Sequence, residues 1–163
     1  MPDAPAPSMR IRVVSVGHRL PDWLKAGFEH YAKRLPREWA FEAVELRSEP
    51  RDGSRTFAQM LTAEGARIAR ATAGRRVIAL DEHGVSFTTS KFADALGKWQ
   101  ATGDDLAFVI GSADGLADSV KTGAAAIMAL STMTLPHGIA RVLLVEQLYR
   151  AHTMMTGHPY HRE

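Results

Sequence analysis

The sequence predicts an α/β protein with a mostly parallel sheet and helices on both faces. Short apolar segments alternate along the chain with longer segments of helical periodicity, which is typical of βαβ architecture. The chain has 163 residues, 45% hydrophobic and 23% charged, enough for one domain with a sizeable core. The absence of cysteine excludes a disulfide scaffold, a thiolate nucleophile and a cysteine zinc site.

Five segments have the composition of strands. The clearest is "RIRVVSVG" at 10–17, which is β-branched, apolar and closed by a glycine. The alternating "FEAVEL" at 41–46 follows it. The expected strands are 10–17, 41–46, 76–81, 105–111 and 126–131.

Four segments have helical spacing. In "PDWLKAGFEHYAKRL" the apolar residues Trp23, Leu24, Phe28 and Tyr31 recur at that spacing after an opening proline and aspartate. The charged segment 47–55 is rich in turn formers and is expected to be a mobile loop. The expected helices are 21–35, 56–72, 89–102 and 137–155.

The N-terminal segment and the net charge limit the classes of protein to which this chain can belong. Residues 1–8, "MPDAPAPS", are proline-rich, so we expect a disordered extension before a single domain at 9–163. No apolar run approaches the roughly 20 residues that span a bilayer, so we expect a cytoplasmic protein without membrane contact. The formal net charge of +2 permits nucleic acid as a partner but does not demand it. Basic residues cluster near the first strand (Arg10, Arg12, His18, Arg19), after the first helix (Lys33, Arg34, Arg37) and at the C-terminus.

Two segments that follow strands have the composition of ligand-binding loops. "IGSADGLADS" at 110–119 leaves the fourth strand through Gly111 and Gly115, at a strand end where open α/β sheets bind ligands. It matches neither GxGxxG nor a P-loop. "STMTLPHG" at 131–138 leaves the fifth strand, and Pro136 removes a backbone donor there. The first segment is either an ordinary turn or a ligand-binding turn. The second is either an ordinary strand–helix connection or a loop that offers backbone groups to a flat heterocycle.

The last helix is apolar around most of its circumference. Residues 142–145 are four consecutive aliphatic residues, and at about 100° per residue they cover more than one face. Glu146 lies beside them with Arg150 at the favourable i+4 position. The helix is therefore either a central core helix or one that also forms a subunit interface.

The chain ends with "TGHPYHRE", which is dense in titratable groups. These residues are either solvated terminal side chains or groups for proton transfer and anion binding. His158 and His161 are separated by a proline, and only Glu163 lies nearby in the sequence to complete a ligand set. We therefore expect no metal site.

The chain resembles the RlmH family of SPOUT-class RNA methyltransferases from about Met9 to Glu163. The segments that carry the resemblance are "VGHRLPDWLKAGFEHYAKRLP", "LDEHG", "IGSADGL", "STMTLPHGIARVLLVEQLYRA" and "HPYHRE". The last two together are highly specific. The chain has Ser112 where the family usually has a second glycine.

The resemblance implies a fold, a reaction and a cofactor pocket. It implies a C-terminal trefoil knot of the SPOUT type and a homodimer. The implied reaction transfers a methyl group from S-adenosylmethionine to ring nitrogen N3 of a pseudouridine in large-subunit (23S) rRNA, on the assembled ribosome. The implied cofactor-binding residues are Leu80, Gly111, Ser112, Ser131, Thr132, Met133, Thr134, Leu135 and Pro136.

The resemblance also implies that the C-terminal tail is catalytic. The tail would lie beside the methyl group of a cofactor that is held by the same subunit or by the partner subunit. There Tyr160 or His161 accepts the imide proton of the base, or Arg162 stabilises the developing anion or holds a phosphate. No metal is required. Two alternatives are a SPOUT methyltransferase for another RNA, which the HPYHRE ending disfavours, and a non-catalytic RNA-binding or ribosome-assembly protein of the same fold.

Overall fold

A five-stranded sheet forms the centre of the protein. In the computed structural model, which describes residues 9–162, the strands follow the spatial order β2-β1-β4-β3-β5, and each neighbouring pair is parallel. This confirms the predicted α/β class. The sheet was predicted to be mostly parallel, and all of its described strand pairs are parallel. The strands are β1 (Ile11–Val16), β2 (Glu42–Leu46), β3 (Arg76–Ser86), β4 (Leu106–Ile110) and β5 (Ala126–Ala129).

The four predicted helices are present, although the first ends earlier than expected. The helix α2 begins with a capping box between Thr56 and Gln59, and Thr88 caps α3. The short helix α4 and two 3₁₀ helices, Arg37–Trp39 and Pro159–Arg162, were not predicted, because so few residues show no periodicity. The helices are α1 (Asp22–Ala32), α2 (Phe57–Ala71), α3 (Thr89–Thr102), α4 (Asp118–Gly123) and α5 (His137–Thr156).

Alternating strand residues supply two hydrophobic cores, one on each face of the sheet. Ile11 and Val13 of β1 point to the core that α1, α3 and α5 cover. Val14 and Val16 point to the opposite core, which α2 and α4 cover. The predicted arrangement of helices on both faces is confirmed.

The strand β3 is longer than the predicted 76–81. Leu80 and Val85 both pair with Met128 of β5, so residues 81–84 form a bulge within the strand. Gly84 permits the bulge, because a Cβ atom there would lie 2.7 Å from the carbonyl oxygen of Ile127. The bulge leaves the polar side chains that follow Leu80 at the carboxyl edge of the sheet.

Some expectations are not settled by this architecture. The trefoil knot and the domain boundary at residue 9 stay predictions. The predicted disordered extension, residues 1–8, lies outside the described residues. Within residues 9–162, no helix is both long enough and apolar enough to cross a membrane.

Candidate active site

A crevice of about 600 Å³ opens at the carboxyl ends of β3, β4 and β5. Adjacent parallel strands end at the same edge of the sheet, so the segments that follow them meet there. The volume lies in the roughly 300–1,000 Å³ range typical of cofactor and small-molecule sites. The lining comes mainly from residues 80–83, 110–116, 130–131 and 133–137.

The structure brings together eight of the nine predicted cofactor-binding residues. The exception is Thr132, which is exposed and does not line the crevice. The Met133 N–H donates to Ser131 Oγ at 2.9 Å and closes a tight turn around Thr132. The eight residues that line the crevice are Leu80, Gly111, Ser112, Ser131, Met133, Thr134, Leu135 and Pro136.

The turn after β4 is too compact for a side chain at Gly111. A Cβ atom there would lie 2.6 Å from the carbonyl oxygen of Gly115 and 2.8 Å from Leu116 Cδ2. Gly115 has φ +86°, which favours glycine, and its N–H donates to the carbonyl oxygen of Ser112 at 2.8 Å. Gly111 and Gly115 therefore satisfy turn geometry, and the turn they make is also a wall of the crevice.

Ser112 connects this turn to α2 and to the loop after β2. Its hydroxyl donates to Glu64 Oε1 at 3.0 Å, and the Glu49 N–H donates to Glu64 Oε2 at 2.8 Å. Glu64 is only 4% exposed. An ion pair between Arg51 and Asp114 is a second link between the loop after β2 and the turn. The serine therefore has a structural role of its own at a position where the family usually has glycine.

Ser112→Ala is expected to lower the free energy of unfolding by about 1–3 kcal/mol, because a buried carboxylate oxygen of Glu64 loses its partner. Urea denaturation of the two proteins measures the difference. The control is Ser90→Ala, which removes an exposed hydroxyl from α3 and is expected to have little effect. An equal stability of the wild type and Ser112→Ala would contradict a structural role for this hydrogen bond.

Polar side chains that the sequence reasoning missed also line the crevice. Asp81 pairs with Lys121 at 3.5 Å, and the Thr134 hydroxyl donates to Glu82 Oε2 at 2.6 Å. The sequence was sufficient to predict Asp81 and Glu82 as crevice residues, because they directly follow Leu80 at the end of the predicted third strand. Lys121 carried no such signal, because it lies on the unpredicted helix α4.

His137, at the start of α5, is a further crevice residue outside the predicted set. Burial lowers its pKa first, and the electrostatic effects of Arg141 and then of His18 lower it further. The ring is therefore neutral at pH 7. Its Nδ1 atom is buried without a hydrogen-bond partner among residues 9–162.

The C-terminal tail folds back on α5 as the 3₁₀ helix Pro159–Arg162. The Tyr160 hydroxyl donates to Glu146 Oε1 at 3.1 Å, and its ring lies 4.7 Å from the Tyr149 ring, centroid to centroid. The Arg150 guanidinium carbon lies 4.9 Å from the centroid of the Tyr160 ring. Arg150 Nε also donates to Glu146 at 2.8 Å, which confirms the predicted i,i+4 pair.

Comparison with known proteins assigns the fold to a family. A family model described as "Predicted SPOUT methyltransferase" matches residues 9–161. The chain belongs to the SPOUT methyltransferase family. This confirms the class of enzyme that the sequence resemblance indicated.

Curated relatives of this SPOUT methyltransferase align over nearly their full length. The "Ribosomal RNA large subunit methyltransferase H" of Nitrosospira multiformis is 48% identical over 155 residues, 94% of this chain and 99% of the relative. The protein of the same name from Ralstonia nicotianae is 50% identical over the same shares. A solved structure, a "probable methylase family protein" from Haemophilus influenzae, has a TM-score of 0.53 and 14% identity, covering 93% of this chain and 69% of that one. The latter likeness supports the fold alone.

Within one SPOUT subunit the crevice and the tail are separate. Tyr160, His161 and Arg162 are absent from the crevice lining. His137 lines the crevice, whereas Glu146, which holds Tyr160, lies nine residues further along α5, about 14 Å at 1.5 Å per residue. One chain therefore assembles the predicted cofactor-binding residues but not the predicted catalytic ones beside them.

The three tail side chains have different environments. Burial, followed by a hydrogen bond with Tyr31 and the charge of Glu146, raises the pKa of Tyr160. The phenol is thus a hydrogen-bond donor at neutral pH and is poorly suited to accept a proton. His161 is half-buried, and its Nδ1 atom has no hydrogen-bond partner within residues 9–162. Arg162 is exposed.

Proposed function

We propose that this protein methylates ring nitrogen N3 of a pseudouridine in large-subunit rRNA, on the assembled ribosome in the cytoplasm, with S-adenosylmethionine as the methyl donor. The observation that carries the proposal is the full-length identity of about half to curated large-subunit rRNA methyltransferases. The SPOUT family match and a crevice at the expected strand ends support it.

The crevice suits a cofactor with an aromatic base and a cationic centre. Leu80, Ile110 and Leu135 give it apolar surface for a flat heterocycle, and the 111–115 turn offers backbone groups. Asp81 is paired with Lys121, and Glu82 adds a further carboxylate whose negative charge complements a sulfonium. When bound, S-adenosylmethionine supplies an electrophilic methyl group. The protein's remaining tasks are to align the base and to handle its N3 proton.

The tail is well suited to those tasks once it is brought to a crevice. His161 is the better candidate for accepting the N3 proton, because Tyr160 is held in its protonated form by its surroundings. Arg162 is exposed and stabilises the negative charge that develops on the base as the proton leaves. Tyr160 anchors the segment through its contacts with Glu146 and Tyr149.

We infer that the protein acts as a homodimer in which the tail of one subunit completes the crevice of the other. The separation of tail and crevice within one chain supports this arrangement. So do exposed apolar side chains on α1 and α5, where Trp23 is 67% exposed, Leu143 37% and Met155 38%. Of the four consecutive aliphatic residues at 142–145, Leu144 and Val145 are buried in the core of their own chain. Leu143 is left for an interface.

Co-expression of two defective chains tests this composite site, at a cofactor concentration too low for the damaged crevice to fill. One chain carries Gly111→Val, with a damaged crevice and an intact tail, and the other lacks Tyr160–Glu163. Half of randomly paired dimers are mixed, and each mixed dimer has one complete site of two. We therefore expect about a quarter of the wild-type methylation. A tail that serves its own subunit predicts no recovery, and a monomeric mass in light scattering at micromolar concentration would contradict the dimer.

The substrate is tested by transfer of labelled methyl groups to ribosomes, isolated subunits and naked rRNA in parallel. The proposal predicts strong labelling of ribosomes at a single pseudouridine and weak labelling of naked rRNA. Labelling of another RNA would favour a different SPOUT substrate. Tight ribosome binding with no measurable affinity for S-adenosylmethionine would favour a non-catalytic assembly protein.

A further inference from the structure

A second cleft, of about 430 Å³, lies at the carboxyl ends of β1 and β2. We call it the basic cleft. Because β1 is parallel to β4, which ends at the cofactor crevice, and β2 is parallel to β1, both openings lie on the same edge of the sheet. Its lining includes Gly17, Arg19, Lys25, Glu45 and Arg47.

The basic cleft holds three cations without counter-ions. Arg19, Lys25 and Arg47 are exposed, and none of them forms an ion pair within the described part of the chain. The carboxylate of the cleft, Glu45, is already paired, since it accepts a hydrogen bond from Arg141 Nη1 at 3.1 Å. Unpaired like charges that share a concave surface create a positive potential that attracts anions.

Other basic residues near β1 do not contribute to this potential. Arg10 pairs with Asp105 at 2.9 Å, and Arg12 Nε donates to Glu42 at 2.6 Å. The basic residues that cluster around the first strand in the sequence therefore fall into two groups in the structure. One is neutralised by ion pairs, and the other, which includes Arg19, faces the carboxyl edge of the sheet.

A buried arginine lies behind the wall of the basic cleft. The side chain of Arg141 is 3% exposed, and its Nε and Nη2 atoms have no hydrogen-bond partner among residues 9–162. Its ion-pair partner, Glu45, is largely in solvent, so the pair compensates the buried guanidinium only in part. Arg141 therefore adds to the preference of the neighbouring surface for an anion.

The basic cleft and the cofactor crevice share a wall. Gly17 lines the cleft and His137 lines the crevice. A Cβ atom at Gly17 would lie 2.7 Å from Cε1 of His137, so the two residues are in direct contact. The basic cleft is therefore within reach of the sugar–phosphate backbone of a polynucleotide that places one base at the crevice.

We propose that the basic cleft binds a backbone phosphate of the RNA strand next to the nucleotide that is methylated. This rests on the proposed function, and it names the part of the substrate that Arg19, Lys25 and Arg47 recognise. Contacts of this kind position a strand without reading its sequence. They also give a mildly basic protein a local site for RNA despite its net charge of only +2.

The test compares two triple variants with the same change in charge. The cleft variant is Arg19→Gln/Lys25→Gln/Arg47→Gln, and the control is Arg70→Gln/Lys91→Gln/Lys98→Gln, which removes exposed cations of α2 and α3. Ribosome affinity is measured by co-sedimentation over a range of salt concentrations, KM by methylation of ribosomes, and cofactor affinity by calorimetry.

We expect the cleft variant to bind ribosomes about 10- to 100-fold more weakly, as for the loss of charge-assisted hydrogen bonds. Its slope of log affinity against log salt should decrease by about 0.7 for each phosphate that the protein no longer neutralises. Its KM for ribosomes should rise while its cofactor affinity stays unchanged. The control should resemble the wild type in all three measurements.

Equal ribosome affinity and salt slope for the cleft and control variants would overturn the proposal. So would a cleft variant that becomes monomeric in light scattering, because the cleft would then hold a second copy of the chain. The binding assay does not depend on catalysis. A wild type that binds ribosomes through the basic cleft but does not methylate them would contradict the proposed function, and only the binding of RNA phosphate by the cleft would remain supported.

Discussion

Deletion of Tyr160–Glu163 is expected to abolish methyl transfer and to leave the fold and the dimer intact. The tail lies on the surface of α5, and both hydrophobic cores are built from residues that precede it. Loss of one proton-transfer group costs roughly 10²–10⁴-fold in rate. The truncated chain loses more, because it also loses the group that stabilises the anion and the positioning of the base.

The measurement is single-turnover methylation of ribosomes, with circular dichroism and light scattering as controls for fold and assembly. Unfolding of the truncated protein would leave its activity uninformative, so Tyr160→Phe is the second variant. It keeps the ring packed against Tyr149 and removes the hydroxyl group that forms hydrogen bonds with Glu146 and Tyr31. Near-normal methylation by a folded truncated dimer would place the chemistry within the crevice alone.

Single substitutions separate the two roles in the tail by their pH dependence. If His161 accepts the N3 proton, His161→Ala loses activity that rising pH partly restores, because the imide then ionises without help. If Arg162 stabilises the anion, Arg162→Ala loses activity that pH restores less, and Arg162→Lys recovers only part of it. Identical pH–rate profiles for His161→Ala and the wild type would exclude His161 as the base.

Gly111→Val is expected to weaken cofactor binding by roughly 10- to 100-fold, while the proposed dimer remains folded. Even the first carbon of a side chain would lie 2.6 Å from the Gly115 carbonyl oxygen, so the turn that lines the crevice must move. A displacement that costs about 1–3 kcal/mol lowers the affinity for S-adenosylmethionine by roughly 10- to 100-fold. Calorimetry measures the affinity.

The matched control is Gly97→Ala in α3. A Cβ atom at Gly97 has nothing within 4 Å, and an alanine there stabilises the helix by up to about 1 kcal/mol. Its affinity for the cofactor should equal that of the wild type. An unchanged affinity in Gly111→Val would mean that the cofactor binds away from the 111–115 turn.

Periodicity and local chemistry were sufficient to predict most of the elements. Four of the five strands were placed within two residues of their observed bounds, because each is a short apolar segment between turn formers, whereas β3 continues five residues beyond its predicted end. The errors fall where local signals are weak. The helix α4 has six residues, too few to show periodicity, and the bulge at 81–84 depends on the close approach of β5 to Gly84.

The crevice was predictable from the sequence because topology and composition agree. Glycine, serine and proline follow two strands, and parallel strands deliver such segments to one edge. Thr132 lies outside the crevice lining, since the position of one residue within a turn depends on its hydrogen bonds, and its role in cofactor binding stays a prediction. The basic cleft was not predictable, because Arg19 and Arg47 are far apart in the sequence and meet only through the pairing of β1 with β2.

The sequence by itself determined the α/β class, the family and the segments that are predicted to carry chemistry. Those follow from residue spacing and from specific strings such as TLPH and HPYHRE, which are local properties of the chain. Only the tertiary structure decided which of these segments meet. It showed that the tail packs against Glu146, away from the crevice of its own chain, and that Arg10 and Arg12 are neutralised while Arg19 is not. The physical reason is that ion pairing, burial and contact depend on distances between residues remote in sequence, which strand order and helix packing set.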